Sequence, residues 1–266
     1  MRAQQPIGVF DSGIGGLTVL AELIAKIPGE RFIYLGDTAR LPYGTKSSST
    51  VIRYAVTAGS FLARRGVKLL VVACNTATAV ALPALRSALS IPVVGVVEPA
   101  ARAAAEKAKT GVGVIGTEST VGSGVYQNLL QQLRPGLAIH AQPCPLFVPL
   151  AEEGWFSHPV TQQVAEIYLQ PLKAQGVDTV VLGCTHYPLL LGPIRQVLGP
   201  EVQLINSGEE VAREVASLLA EVSLLGEGPG GVELLVTDAA PRVQRLARAI
   251  LGEAGRKLEL VDMTEG

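Results

Sequence analysis

The chain has 266 residues, 48% of them hydrophobic and 17% charged, with a formal net charge of −1 at pH 7. That balance excludes a disordered chain and gives no basic surplus to draw it to nucleic acid or an anionic membrane. No apolar stretch reaches the length of a membrane span, and the N-terminus MRAQQPIGVF carries no signal-peptide pattern, so the sequence predicts a soluble, cytoplasmic protein of one large or two ordinary domains.

Apolar, β-rich runs alternate with helical patterns along the chain. IGVFD from Ile7 and RFIYLGD from Arg31 read as strands, and Ser47, Ser48 and Ser49 then cap a helix running to about Arg65. LLVVAC from Leu69 and IPVVGV from Ile91 are strands, followed by an Ala-rich helix that starts at Pro99 behind Glu98 and ends near Lys109. GVGVIG from Gly111 and LAIHAQP from Leu137 come next, and a helix opens at Pro159 and Thr161 and runs to Gln175. TVVLGC from Thr179, VQLINS from Val202, VELLVTD from Val232 and KLELVD from Lys257 complete the strands, interleaved with the helices GEEVAREVASLLAEV and APRVQRLARAILGEAG. Alternation of this kind predicts an α/β fold of mainly parallel, doubly wound sheets with helices on both faces.

One passage is written twice, 110 residues apart: GVKLLVVAC, ending at Cys74, and GVDTVVLGC, ending at Cys184. Pro83 and Pro193 keep that offset. Gly8-Val9-Phe10-Asp11-Ser12 matches Gly113-Val114-Ile115-Gly116-Thr117, and IPVVGVVEP matches VQLINSGEE. Pro42-Tyr43-Gly44 and Glu152-Glu153-Gly154 hold similar places, each before a helix. The repeat predicts two pseudo-symmetric lobes, residues 1–97 joined by the tail 208–266, and residues 98–207. Ligands of parallel sheets bind beyond the carboxyl ends of the strands, so a site is expected in the cleft between the lobes.

Three cysteines without a CxxC pair argue against a disulfide framework and a structural zinc, and the three histidines do not form an HExxH. A free cysteine is commonly a small buried hydrophobe. Two at equivalent strand ends suggest chemistry instead: inverting a carbon stereocentre needs a base on one face and an acid on the other, and a thiol of pKa about 8.5 is readily tuned for either role. FDSGIGGL makes a glycine turn after Asp11 and Ser12. It is not a dinucleotide loop, because Thr18 stands where the third glycine would be. Gly111, Gly113 and Gly116 match GxGxxG literally but run through a strand. Asp11 is placed to orient Cys74 or to hold an ammonium. His186 and Glu152 are candidate partners of Cys184, with an exposed charge at a helix start as the alternative for Glu152. Asp37 is a further strand-end carboxylate of unassigned role. Cys144 reads as structural, Trp155 as packing near the lobe interface, and His140 and His158 have no distinguishing context.

Taken together, FDSGIGGL, YLGDTARLPYG, ACNTAT, PCPLFVPLAEEGW and GCTHYPLL resemble the glutamate racemases, from Ile7 to about Ala220. The resemblance implies two α/β lobes, an active site between them, and cofactor-independent interconversion of L- and D-glutamate for peptidoglycan synthesis. By the same resemblance Cys74 and Cys184 are the acid/base thiols, the first on the D-glutamate side and the second on the L-glutamate side, with Asp11, Glu152 and His186 assisting. Asp11, Ser12, Tyr43, Gly44, Asn75, Thr76, Thr185 and His186 correspond to substrate contacts. No metal, nucleic acid or membrane partner is implied, and a homodimer is left open. The alternatives are a racemase or decarboxylase for aspartate or another small acid, and a non-catalytic small-ligand sensor of the same architecture.

Overall fold

All ten runs that read as strands in the sequence are strands in the computed structural model, which describes residues 3–263. They are β1 (Ile7–Asp11), β2 (Arg31–Gly36), β3 (Leu69–Val72), β4 (Val93–Gly95), β5 (Gly111–Gly116), β6 (Ala138–Pro143), β7 (Thr179–Gly183), β8 (Gln203–Asn206), β9 (Gly231–Val236) and β10 (Glu259–Leu260). The chain ends outside 3–263 lie outside the described residues.

The strands form two sheets, ordered β10-β9-β2-β1-β3-β4 and β6-β5-β7-β8, and every pairing is parallel. The sequence repeat is therefore a repeat of topology. β2-β1-β3-β4 and β6-β5-β7-β8 share one order, and in both the direction of winding reverses between the first and third strand of the unit. A reversal of that kind opens a crevice at the carboxyl edge. The tail returns to the first sheet, where β9 lies in register beside β2, with Arg31 opposite Gly231.

Between the strands lie α1 (Leu17–Lys26), α2 (Ser48–Arg64), α3 (Asn75–Ala88), α4 (Val97–Lys107), α5 (Glu118–Gly122), α6 (Val125–Leu133), α7 (Phe147–Glu152), α8 (Pro159–Ala174), α9 (Leu191–Leu198), α10 (Ser207–Glu221) and α11 (Pro241–Leu251). The sequence predicts α2, α4, α8, α10 and α11, and all five are present. Ser47 accepts a hydrogen bond from Thr50 N at the start of α2, and Pro159 opens α8 behind His158. The sequence reading did not find α3 or α5, which Cys74 and Thr117 cap with their side chains, nor α1, α6, α7 and α9, whose N-caps Gly16, Gly124, Leu146 and Leu190 make no side-chain capping bond. The last four are held by packing, not by local capping signals.

The inner faces of the two sheets share one apolar core. Val9 and Val71 of the first sheet and Val112, Val114 and Val181 of the second close on α1, α4 and α10 between them. Alanines at 100, 101, 103 and 104 keep α4 thin enough to sit in this seam. The opposite side chains of the same strands, such as Phe10 and Val72 or Ile115 and Leu182, pack outward under α2 and α3 or under α8 and α9. Alternation along each strand thus serves two cores at once. α10 packs on both α1 and α4, so the first helix of the stretch 208–266 lies in the seam between the sheets.

The amino-terminal edge of the first sheet is closed by a buried ion pair. Lys68 Nζ donates to both carboxylate oxygens of Glu30 at 2.7 and 2.9 Å, and to the carbonyls of Ala3 and Leu224. Glu30 also accepts from Gly226 N at 2.6 Å, which ties the loop before β9 to the foot of β2 and β3. Removing one member strands a charge inside the protein. Lys68→Met is therefore expected to lower stability by about 3–5 kcal/mol in urea unfolding, with much of the loss recovered when Glu30→Leu is added.

Candidate active site

The two thiols reach the same cleft by equivalent routes and then differ. β3 ends at Val72, and two residues later Cys74 caps α3, its Sγ accepting from Ala77 N at 3.4 Å and facing Ser12 Oγ at 3.3 Å. β7 ends at Gly183, and Cys184 opens a tight turn in which Tyr187 N donates to Cys184 O. No α-helix begins at Cys184. A short 3-10 turn, Tyr187–Leu190, intervenes before α9, so of the two thiols only Cys74 stands at a helix N-terminus. Cys184 Sγ instead lies 3.8 Å from His186 Nδ1. Both cysteines are buried and free.

Ser12, Tyr43, Gly44, Cys74, Asn75 and Thr76 line the cleft from the first half, and Thr117, Val148, Glu152, Cys184, Thr185 and His186 from the second. Its cavity volume is about 30 Å³. Clefts for small ligands usually offer roughly 300–1,000 Å³, so an amino acid can enter only if the walls part.

Hydrogen bonds across the seam hold the walls. Asn75 Oδ1 accepts from Tyr126 OH at 2.7 Å, and its Nδ2 donates to Ser207 Oγ, which lies 3.3 Å from Leu182 O. Thr76 Oγ1 meets Thr117 Oγ1 at 3.0 Å and Thr120 Oγ1 at 3.2 Å. The Thr18 hydroxyl lies 2.8 Å from Thr185 O. The approach is closest at Gly15, where a Cβ would fall 2.5 Å from both His186 and Thr185, and at Gly44, where it would fall 2.9 Å from Thr117. Only glycine fits at these two points.

Asp11 lies behind the cleft, not in its lining. It is fully buried, its Oδ2 accepting from Gly13 N at 3.0 Å while Oδ1 has no hydrogen-bond partner among the described residues. Burial raises its pKa, against the pull of His186 and the turn N–H groups of Gly16, Gly13 and Ser12. The Tyr43 hydroxyl turns to Asp37 Oδ2 at 2.5 Å, and Thr237 bonds the other Asp37 oxygen at 3.0 Å. Asp37 thus anchors the wall that carries Tyr43 and Gly44. Glu152 is not an exposed charge at a helix start: it is buried at the last residue of α7, because that short helix points its carboxyl end at the cleft.

Electrostatics divide the two thiols further. Burial first, then the neighbouring Asp11 carboxylate, pushes Cys74 up to about 12, which keeps its proton on the sulfur at neutral pH. For His186, burial works to strip the proton, but the Cys184 sulfur and the Glu152 carboxylate outweigh it and hold the imidazole up at about 10. Its Nε2 stands 3.4 Å from Glu152 Oε1, an ion-pair distance that is off the line of a hydrogen bond. Burial also opposes ionisation of Glu152, yet His186 and Arg242 together hold its carboxyl below the usual range. The Cys184 half is thus an alternation of carboxylate, imidazolium and sulfur, and the Cys74 half is a thiol beside a carboxylate.

Cys144 is buried away from this lining, and its carbonyl accepts from Tyr187 OH at 2.9 Å. Trp155 is not packed at the lobe interface. It is 42% exposed and stacks on His158 with ring centroids 4.3 Å apart. His158 itself caps α8. Thr117 and Val148 are lining residues that the sequence reading did not name, although Thr117 was legible as the counterpart of Ser12 in the repeat.

Two parallel sheets meet at their carboxyl edges around two buried thiols, which line a small cleft. The model of the Asp/Glu/Hydantoin racemase family matches residues 16–226. The glutamate racemase of Geobacter metallireducens is 52% identical over 249 residues, covering 92% of each chain. Among solved structures, the glutamate racemase of Thermus thermophilus in complex with beta-chloro-D-alanine is 48% identical, with a TM-score of 0.90 and full coverage of both chains. That of Francisella tularensis in complex with D-glutamate is 34% identical, with a TM-score of 0.93, covering 99% of this chain and all of the other. The chain belongs to the Asp/Glu/Hydantoin racemase family, within it to the glutamate racemases, and so is an isomerase.

The contacts of His186 with Cys184 and Glu152 give a pH signature. A histidine whose folded pKa is about 10, above the value of 6.5 for the free side chain, adds stability in full below 6.5 and loses it as pH rises through 10. Stability of the wild type, followed by urea unfolding, is expected to fall between pH 6.5 and 10, and that slope is expected to flatten in His186→Asn.

Proposed function

We propose that the protein racemises glutamate by a two-base mechanism in which Cys74 and Cys184 act on opposite faces of Cα, without a cofactor. The observation that carries this reading is the arrival of two free thiols, from equivalent strand ends of two sheets with one topology, in a single closed cleft of a chain whose named relatives are glutamate racemases.

In the direction from L-glutamate, Cys184 as thiolate takes the Cα proton while the imidazolium of His186 balances its charge. The electron pair left on Cα is delocalised into the carboxylate. Cys74, which burial keeps protonated, then delivers its proton to the other face, leaving a thiolate at Cys74 and a thiol at Cys184. The reverse reaction starts from that state. The Cα proton is far less acidic than a thiol, so the site must stabilise the carbanion-like transition state by part of the roughly 8–23 kcal/mol that enzymes supply. Hydroxyl and amide groups of Ser12, Thr76, Thr117, Thr185 and Asn75 are suited to bind the two substrate carboxylates in a dry cleft. Ser12, Tyr43, Gly44, Asn75, Thr76, Thr185 and His186 form the substrate wall in this reading. Asp11 acts from behind on Cys74, and Glu152 acts on Cys184 through His186.

The lobes so defined are residues 1–97 with 208–266, and 98–207. The D-glutamate formed serves peptidoglycan synthesis in the cytoplasm. Among the described residues no helix is long and apolar enough to cross a membrane.

The test is incubation of the purified protein with either enantiomer in heavy water, without pyridoxal phosphate. Optical rotation is expected to decay to zero as deuterium enters Cα. Cys74→Ser and Cys184→Ser are each expected to lose inversion by about 10²–10⁴-fold. Cys74→Ser should still exchange the Cα proton of L-glutamate, and Cys184→Ser that of D-glutamate. No exchange by the wild type would defeat the reading.

A further inference from the structure

Arg242 belongs to none of the passages that mark the site in the sequence. It is the second residue of α11, in the tail that follows β9 of the first sheet, and α11 packs on α1. Its guanidinium nevertheless reaches across to the second half of the cleft. Nη2 lies 3.4 Å from Glu152 Oε2, and Nη1 lies 3.9 Å from Glu153 Oε1. The other Glu152 oxygen, Oε1, faces His186 Nε2 at 3.4 Å, and His186 Nδ1 stands 3.8 Å from Cys184 Sγ. A cation from one lobe, a carboxylate and an imidazole from the other, and the thiol stand in one line.

The buried member of that line needs outside support. Glu152 ends α7, where the last carbonyls of a helix repel a carboxylate, and its side chain is only 8% exposed. Among the described residues, the charges that bear on it are His186 and Arg242. Glu153 beside it points outward and is 56% exposed. A guanidinium in ion-pair contact with one oxygen of a carboxylate restrains its swing, and with it the place of the other oxygen.

We infer that Arg242 is a positioning residue for the Cys184 half of the site: by gripping Glu152 Oε2 it keeps Oε1 turned to His186, and so seats the imidazole against the sulfur. The inference rests on the proposed role of Cys184, but not on turnover for its test. Because Arg242 comes from the first lobe, the grip is made only when the two walls of the cleft are together.

Two roles for Arg242 shift His186 in opposite directions. The groups facing His186 are Cys184 on its own turn, Glu152 from α7 and Asp11 from the end of β1. If Arg242 were only a nearby positive charge, removing it would make His186 easier to protonate and raise its titration midpoint. If it positions Glu152, removing it frees the carboxylate to swing away, and the midpoint falls.

The experiment is an NMR titration of the His186 imidazole in the ligand-free wild type, Arg242→Gln and Arg242→Lys, with kcat/KM for both enantiomers measured alongside. Arg242→Gln is expected to lower the midpoint by roughly one unit, a tenfold change in proton affinity, and to reduce kcat/KM several-fold. Arg242→Lys should recover part of both, and Glu153→Gln should change neither. A midpoint that rises or stays put in Arg242→Gln overturns the inference, whatever happens to the rate. Absence of turnover in the wild type would sink the racemase reading and leave the imidazole result standing on its own.

Discussion

Every strand of a parallel sheet delivers its carboxyl end to the same edge, and nearly everything at this site follows from two such edges being brought face to face. Asp11, Asp37 and Cys74 come off one edge; Thr117 and Cys184 come off the other. The edges stay opposed because the inner faces of both sheets are buried on the same helices. α1, α4 and α10 are shared walls, so the hydrophobic effect that folds each sheet also fixes the distance between them. The hydrogen bonds of Thr18 to Thr185 and of Asn75 to Tyr126 and Ser207 then set the register of one thiol against the other.

The repeat supplies the symmetry and its departures supply the chemistry. A glutamate offers different groups on its two faces, so two identical half-sites would serve it poorly. Cys74 is a helix cap with a hydroxyl and a buried carboxylate beside it, an environment that favours the protonated sulfur. Cys184 is in a turn with a histidine held near pKa 10 between it and a carboxylate, an environment suited to a charged pair. These two environments are what the proposed two-base reading draws on: a protonated sulfur on one side and a sulfur paired with an imidazole on the other.

The sequence made the strands and the thiols legible because their signals are local. Short β-branched runs ending in Asp11, Cys74 and Cys184 can be read without knowing what they pack on, and the 110-residue offset exposed the equivalence of the halves. What stayed hidden depends on distant partners. Gly16, Gly124 and Leu146 give no sign that helices begin there, since those helices are stabilised by tertiary burial. Glu152 could be named from its motif but not placed, because a glutamate at the buried end of α7 looks the same in sequence as one on a surface turn. Trp155 looked like packing and proved to be half-exposed on His158, its ring served by a neighbour three residues away. Arg242 is an ordinary helix-start arginine until the fold sets it 3.4 Å from a carboxylate 90 residues earlier in the chain.

The central claim is geometric: one Cα sits between two sulfurs that act on opposite faces. The most direct measurement is a crystal structure with D-glutamate bound. The account predicts Cα between Cys74 Sγ and Cys184 Sγ, each roughly 3–3.5 Å from the reacting centre and the sulfurs therefore about 6–8 Å apart. Both sulfurs on one face of the bound amino acid, or a covalent contact between them in the active protein, would contradict it.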